Sequence, residues 1–343
     1  MSRLFTACRL LFAQPRLGGR EKLGVLVALV TLALLIVTPF AASEYRLAQL
    51  RDALLLALLA ISLDYLWGRA HTLVLGHALF FGLGAYGMAI ATMKLGLSTG
   101  AGIVLGIALA SALATISGYF LLFAGVRLHF FAVMTMAMSL IANQVAVSWS
   151  SVTGGDVGIL GIPPIEFTLL GLRYSTAGDL ESYYGALAVA TMVLAVMWAA
   201  CRGPYGKILE AVGTNENRAR SLGFNTSLHL LLAFALAAAL AALAGALFAS
   251  ASGVVAPDLL GVIVSTEVLI WVAIGGRGSL IGPVIATLIV TQASHSISSF
   301  STSLWPLILG ALFLLVVFAL PDGLASLLRK VPEFLARRRG SAS

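Results

Sequence analysis

Residues 221–257 and 278–321 contain no Asp, Glu, Lys or Arg, and neither does the stretch 95–126. Each of these runs exceeds the roughly 20 residues that an apolar helix needs to cross the hydrocarbon core of a bilayer. A water-soluble fold has no way to hide so much uncharged apolar chain. Composition points the same way: 60% of the residues are hydrophobic and 10% are charged, against about 25% charged in an ordinary soluble domain. The chain therefore reads as all-α, a polytopic bundle of membrane-spanning helices.

The apolar runs, taken in order, give about ten spans: residues 23–43, 47–67, 70–93, 95–126, 128–149, 182–201, 221–257, 262–275, and two within 278–321. The first run starts about 22 residues in and is long enough to span, so it reads as a retained helix and not as a cleaved signal. Three parts follow: a basic segment 1–22, a membrane domain 23–320 and a basic tail 321–343. Lys and Arg decide the direction, because positive charge accumulates in cytoplasmic loops. With both termini in the cytoplasm, the inner segments hold 17 of the 21 basic residues, and the outer ones hold only Arg46, Arg51, Lys94 and Arg173.

The net charge of +7 does not mark a nucleic-acid binder, since the basic residues lie between apolar blocks and not along an aromatic-lined stripe. Cys8 and Cys201 both fall on the inner side, where a disulfide is not expected. No Cys/His spacing fits a metal site, and His71, His77, His129, His229 and His295 are too scattered to form a catalytic group. No enzyme activity, metal or cofactor is expected. The four lysines, Lys22, Lys94, Lys207 and Lys330, complete no phosphate-binding P-loop, so any ATP that drives this protein is bound by another chain.

Ionisable groups at membrane depth are costly and default to functional candidates. Asp64 lies near the inner end of the second span, where it is either solvated or paired with Arg69. Glu267 lies near the middle of the short eighth. The glycine-rich third span carries His77, Phe81 and Tyr86, and reads either as a closely packed helix or as a wall of a solute route. Gly76, Gly82 and Gly84 in that span are structural candidates, as are Gly275, Gly276, Gly278 and Gly282 further on. Small residues let membrane helices approach closely, and Gly102/Gly106 and Gly278/Gly282 are spaced one helical turn apart.

Two loops stand out. Residues 153–164 hold four glycines and two prolines, a shaped turn whose apolar content folds it back on the outer mouth. Residues 202–223 read as two short helices at the inner surface. Pro204 suits a helix start, Ile208, Leu209 and Val212 share one side, Gly213 interrupts, and Thr214 or Asn215 caps a second helix that Gly223 stops.

These motifs, in this order, resemble the Liv-type permeases of branched-chain amino acid ATP-binding cassette importers, including their urea and short-amide branch. The resemblance runs from about residue 50 to 327. It rests on residues 62–68 and 75–86, on 153–163, on 215–223, and on Glu267 with 275–283. It implies a heteromeric importer in the bacterial inner membrane. A second homologous permease would complete the pore, two ATP-binding subunits would drive it, and a periplasmic solute-binding protein would deliver the cargo. Glu210, Asn215, Glu216, Asn217, Arg218, Leu222 and Gly223 would couple this chain to the ATPases. His77, Phe81, Tyr86, Glu267 and Asp64 are the substrate-pathway candidates. The competing reading is a stand-alone secondary transporter or channel, for which only Asp64 and Glu267 are available as coupling-ion groups.

Overall fold

The computed structural model describes residues 19–40, 42–125, 128–169 and 172–298, with positions 307, 308, 310, 311, 314, 315 and 323. Eleven helices of more than one turn organise this part. They are α1 (Gly19–Val37), α2 (Glu44–Arg69), α3 (Ala78–Met93), α4 (Thr99–Phe123), α5 (Leu128–Ser148), α6 (Asp179–Arg202), α7 (Pro204–Thr214), α8 (Glu216–Ser221), α9 (Thr226–Ser252), α10 (Val262–Gly275) and α11 (Ile281–Ser298). Nine of them, α1–α6 and α9–α11, correspond to the first nine expected spans. Most of the tenth span, most of the segment 1–22 and nearly all of the tail 321–343 lie outside the described residues.

Among the described residues, α1, α4, α5, α6 and α9 are each long and apolar enough to cross a membrane. α2 is long as well, at 26 residues, but carries charged residues towards both ends. α3, α10 and α11 are shorter apolar helices. The chain is a multi-pass membrane protein.

α2 and α9 form the middle of the bundle. α9 packs on α2, α3 and α4, and α2 also meets α6, α10 and α11. Both are apolar all round in their central turns, as buried helices are. Small residues set the spacing. On α4, Gly102, Gly106, Ala110, Ala114 and Gly118 recur every four residues and are all buried, while Val104, Ile116 and Phe120 on the other side are exposed. Gly106 of α4 meets the backbone of Gly84 on α3, and Gly84 meets Ala242 of α9 so closely that a Cβ would overlap its carbonyl.

The structure corrects several expectations. The fold is not purely helical. β1 (Ile159–Leu160) pairs antiparallel with β4 (Val254–Val255), and β2 (Glu166–Leu169) pairs with β3 (Leu172–Ser175). The first pair, with the Ile162 amide on the Gly253 carbonyl at 3.1 Å, lays the glycine-rich loop across the end of α9. The third span is helical only from Ala78. His71 has φ +51°, a left-handed backbone that stops α2 from continuing. Gly278 and Gly282 do not share a helix, because Gly278, at φ +76°, lies in the turn before α11. Gly213 does not interrupt α7, which runs on to Thr214.

Candidate functional site

Two places bring the singled-out residues together: a node at the foot of α2, and a junction where α3 and α10 begin.

At the node, Asp64 is fully buried. One carboxylate oxygen accepts the Gly278 amide at 2.6 Å and the other accepts the Leu280 amide at 2.8 Å. Asp64 is therefore neither solvated nor paired with Arg69; it clamps the turn that joins α10 to α11. That turn is unusual in its backbone. Gly276 and Gly278 have positive φ, and so does Leu280, at +57°, which costs a residue bearing a Cβ roughly 1–2 kcal/mol. Gly68 packs directly on Gly278, and Gly275 on Gly282, with no room for a Cβ at either contact. The Arg277 guanidinium lies over the Trp67 ring at 4.9 Å. Motifs some 210 residues apart thus form one knot.

Arg69 carries the knot outward. It donates to the Gly278 carbonyl at 3.4 Å and meets Glu210 of α7 at 3.5 Å. Gly213, at the end of α7, lies against Ala70 and His71. α7 is amphipathic: Leu209 and Val212 are buried, while Lys207 and Glu210 are exposed. Asn215 caps α8 by accepting the Arg218 amide at 2.9 Å. Glu216 accepts from Arg220 at 2.8 Å and from Thr226 at 3.0 Å, which ties α8 to the first turn of α9. Asn217, Arg218, Leu222 and Gly223 are exposed at the tip, and Leu222 is 72% accessible. A polar rim around one bare leucine is a protein-docking surface in composition.

The second place lies well inside the bundle. His77 caps the start of α3 and is fully buried, with Nε2 at 2.7 Å from Ser62 Oγ. The single Ser62 hydroxyl proton goes to the Leu59 carbonyl at 2.7 Å, so His77 donates through Nε2. Its Nδ1 has no partner among the described residues. One residue on, the Ala78 amide donates to Ser265 Oγ of α10 at 3.0 Å. The N-terminal turns of α3 and α10 therefore meet, each preceded by unwound chain. Phe81 is packed against α9, 5.6 Å from the Phe248 ring. Tyr86 is buried, with no hydrogen bond to its hydroxyl among the described residues. Glu267 is half-buried on α10, beside the exposed Thr266.

Ser62 and Ser265 were not singled out from the sequence. Each is an ordinary polar residue whose role comes from a partner distant in the chain, His77 for Ser62 and the Ala78 amide for Ser265.

Residues 45–317 match the family described as branched-chain amino acid transport system / permease component. The chain belongs to this family. It is similar to the high-affinity branched-chain amino acid transport system permease protein LivM of Escherichia coli strain K12. The two are 29% identical over 93% of this chain and 79% of that protein. Similarity to LivM of Salmonella typhimurium is 27% over the same shares. A shorter match joins it to the autoinducer 2 import system permease protein LsrC of Photorhabdus laumondii, 30% identical over 33% of this chain and 36% of that one. No solved structure matches the chain. The matched region opens at the start of α2, leaving α1 before it. The family is one of transport permeases and not of enzymes.

Proposed function

We propose that this chain is the membrane-spanning permease subunit of an ATP-binding cassette importer in a bacterial inner membrane. It moves a small solute by alternating access, with branched-chain and other apolar amino acids first among the candidates and urea or short amides as further members of the same class. A second, homologous permease completes the pore. Two ATP-binding subunits supply the drive, and a periplasmic solute-binding protein supplies the cargo.

The observation that carries this reading is the ridge formed by α7 and α8. It is exposed, capped by Asn215, tied to α9 through Glu216, and joined through Arg69 to the Asp64–Gly278 knot. A push on that ridge reaches the α10–α11 turn through side chains already in contact. A chain with no P-loop has use for such a ridge when an ATPase docks on it. Glu210, Asn215, Glu216, Asn217, Arg218, Leu222 and Gly223 form this coupling surface.

The test is uptake of labelled leucine into proteoliposomes. The expected result is uptake that needs ATP, both permeases and the ATPase subunits. Uptake by the purified chain alone, driven by an ion gradient, would overturn the reading in favour of a secondary transporter.

A further inference from the structure

α6 and α9 both pack on α2 and barely touch each other. The gap between them is a slot of about 400 Å³. Leu55 of α2 is its floor. Ala188 and Val189 of α6 form one wall, and Leu247 and Ala251 of α9 form the other. Ile165 and Thr176 close its outer end, where the β2–β3 hairpin begins and ends. The roof is braced: the Thr176 amide donates to the Ile165 carbonyl at 3.0 Å, and the Ile165 amide to Thr176 Oγ1 at 2.9 Å. With a floor, two walls and a roof in place, the slot opens sideways and inward. Ala188 lies about 13 Å below the start of α6, within the outer half of a hydrocarbon core roughly 30 Å thick. Further in, the walls run on as exposed apolar rows, Met192 and Val196 on α6 and Leu236 and Leu232 on α9.

The slot has little to offer a polar guest. Three of its four hydroxyls are already engaged. Thr176 accepts from the Ile165 amide, Ser250 donates to the Pro163 carbonyl at 3.0 Å, and Tyr184 donates to the Ile36 carbonyl at 3.2 Å. A buried water needs two to four polar partners, and the rest of the lining is almost wholly apolar. An empty slot of this size would forfeit the dispersion contacts of its whole lining. Its occupant is therefore apolar and enters from the side.

The chain's own ends do not supply that occupant. Gly19 starts α1 at the inner side, and Gly323 lies against Gly276 at the inner end of α10. The segment before Gly19 carries Arg3, Arg9 and Arg16, and the one after Gly323 carries five basic residues, which hydrocarbon excludes. A spanning helix of another subunit, seated in the slot, would run on into the Ile165–Thr176 roof. The matching gap on the other flank of α6, against α11, is covered by Leu32 and Leu35 of α1. The slot has no such cover among the described residues.

We propose that the slot holds one acyl chain of a phospholipid from the outer leaflet. A methylene chain needs no hydrogen bond, slides in sideways between α6 and α9, and ends beneath the hairpin. The site stands apart from the importer reading and does not depend on it.

The test is native mass spectrometry of the full-length chain, extracted from its membrane in mild detergent. The wild type is expected to keep one adduct of phospholipid mass through detergent exchange. Ala188→Trp and Ala251→Phe push a ring into the slot and are expected to lose that adduct. Ile116→Trp, on the exposed side of α4, is the control and keeps it. Size-exclusion chromatography checks the fold of each variant. Equal adducts on the wild type and both filled variants would overturn the proposal, and so would a wild type that carries none. A dimer that the filled variants dissociate would put a second copy in the slot and overturn it too. If neither filled variant folds, photocrosslinking of the wild type decides. Phosphatidylethanolamine with a diazirine midway along one chain should label α6 and α9 around Ala188 and Leu247. Labelling spread evenly over the exposed faces of α4 and α5 would remove the site.

Discussion

Asp64 holds Leu280 in a left-handed backbone conformation across 216 residues of chain: a buried carboxylate oxygen accepts the Leu280 amide at 2.8 Å, while its twin accepts from Gly278. Removing the acceptor strands the buried Leu280 amide and the part-buried Gly278 amide and leaves the strained turn without its restraint. Asp64→Ala is expected to destabilise the chain by about 3–5 kcal/mol. Asp64→Asn is milder, because one oxygen still accepts. Thermal melting of the detergent-solubilised protein measures both, and an Asp64→Ala variant that melts with the wild type would remove the clamp from the account.

Arg69 and Glu210 face each other at 3.5 Å with Glu210 more than half exposed. An exposed pair of this kind contributes under about 1 kcal/mol to stability, so Arg69→Gln and Glu210→Gln should melt within a few degrees of the wild type. Their effect is expected on coupling, seen as less leucine taken up per ATP hydrolysed. The double variant should lose no more than the worse single one, as residues acting in one chain of contacts do. Strictly additive losses would show that the two act separately.

α8 is six residues long and cannot hold itself together. Asn215→Ala removes its cap at a cost of about 1 kcal/mol, and Glu216→Ala removes the acceptor shared by Arg220 and Thr226. Both variants should keep the transmembrane fold and lose co-purification with the ATPase subunits. Full recovery of those subunits with the Glu216→Ala chain would move the docking surface elsewhere.

Gly84 and Gly245 sit where α3 and α9 touch backbone to backbone. Gly84→Leu and Gly245→Leu force the helices apart and should abolish the monodisperse folded protein. Gly24→Ala on α1, with nothing within 4 Å of the new methyl, should pass unnoticed. The contrast is read by size-exclusion chromatography of membranes extracted in parallel.

The charge-free runs made the bundle legible, because only lipid or deep burial tolerates them. The breaks in the bundle were not legible. The unwound stretch before Ala78 has no charged residue and no proline to mark a break, only His71, Thr72 and His77 among apolar residues, and the turn at residues 257–260 carries the Pro and Asp of an ordinary loop. Nothing in either segment says how deep it lies; Ser265, Ser139 and Asn143 say so, by bonding to these segments from other helices. Gly213 shows the opposite error. A glycine inside a helical pattern reads as a break, yet here the helix runs through it, and glycine is needed for close packing, because a Cβ at that point would strike Ala70 and His71. Asp64 was conspicuous as a charge at depth, and its depth is explained by two backbone amides that carry no side-chain signature.

The first helix is attached in a different manner from all the others. α1 precedes the matched region and no residue of its apolar stretch is fully buried, although Leu32 and Leu35 pack against the core. Its last turn is held by two phenols of α6: Tyr183 donates to the Leu35 carbonyl at 2.7 Å and Tyr184 to the Ile36 carbonyl at 3.2 Å. Every residue offers a carbonyl, whatever its side chain. The phenol grip therefore places no demand on side-chain identity at the end of α1, and what side-chain constraint this helix carries falls on the face of Leu32 and Leu35, which pack against the core.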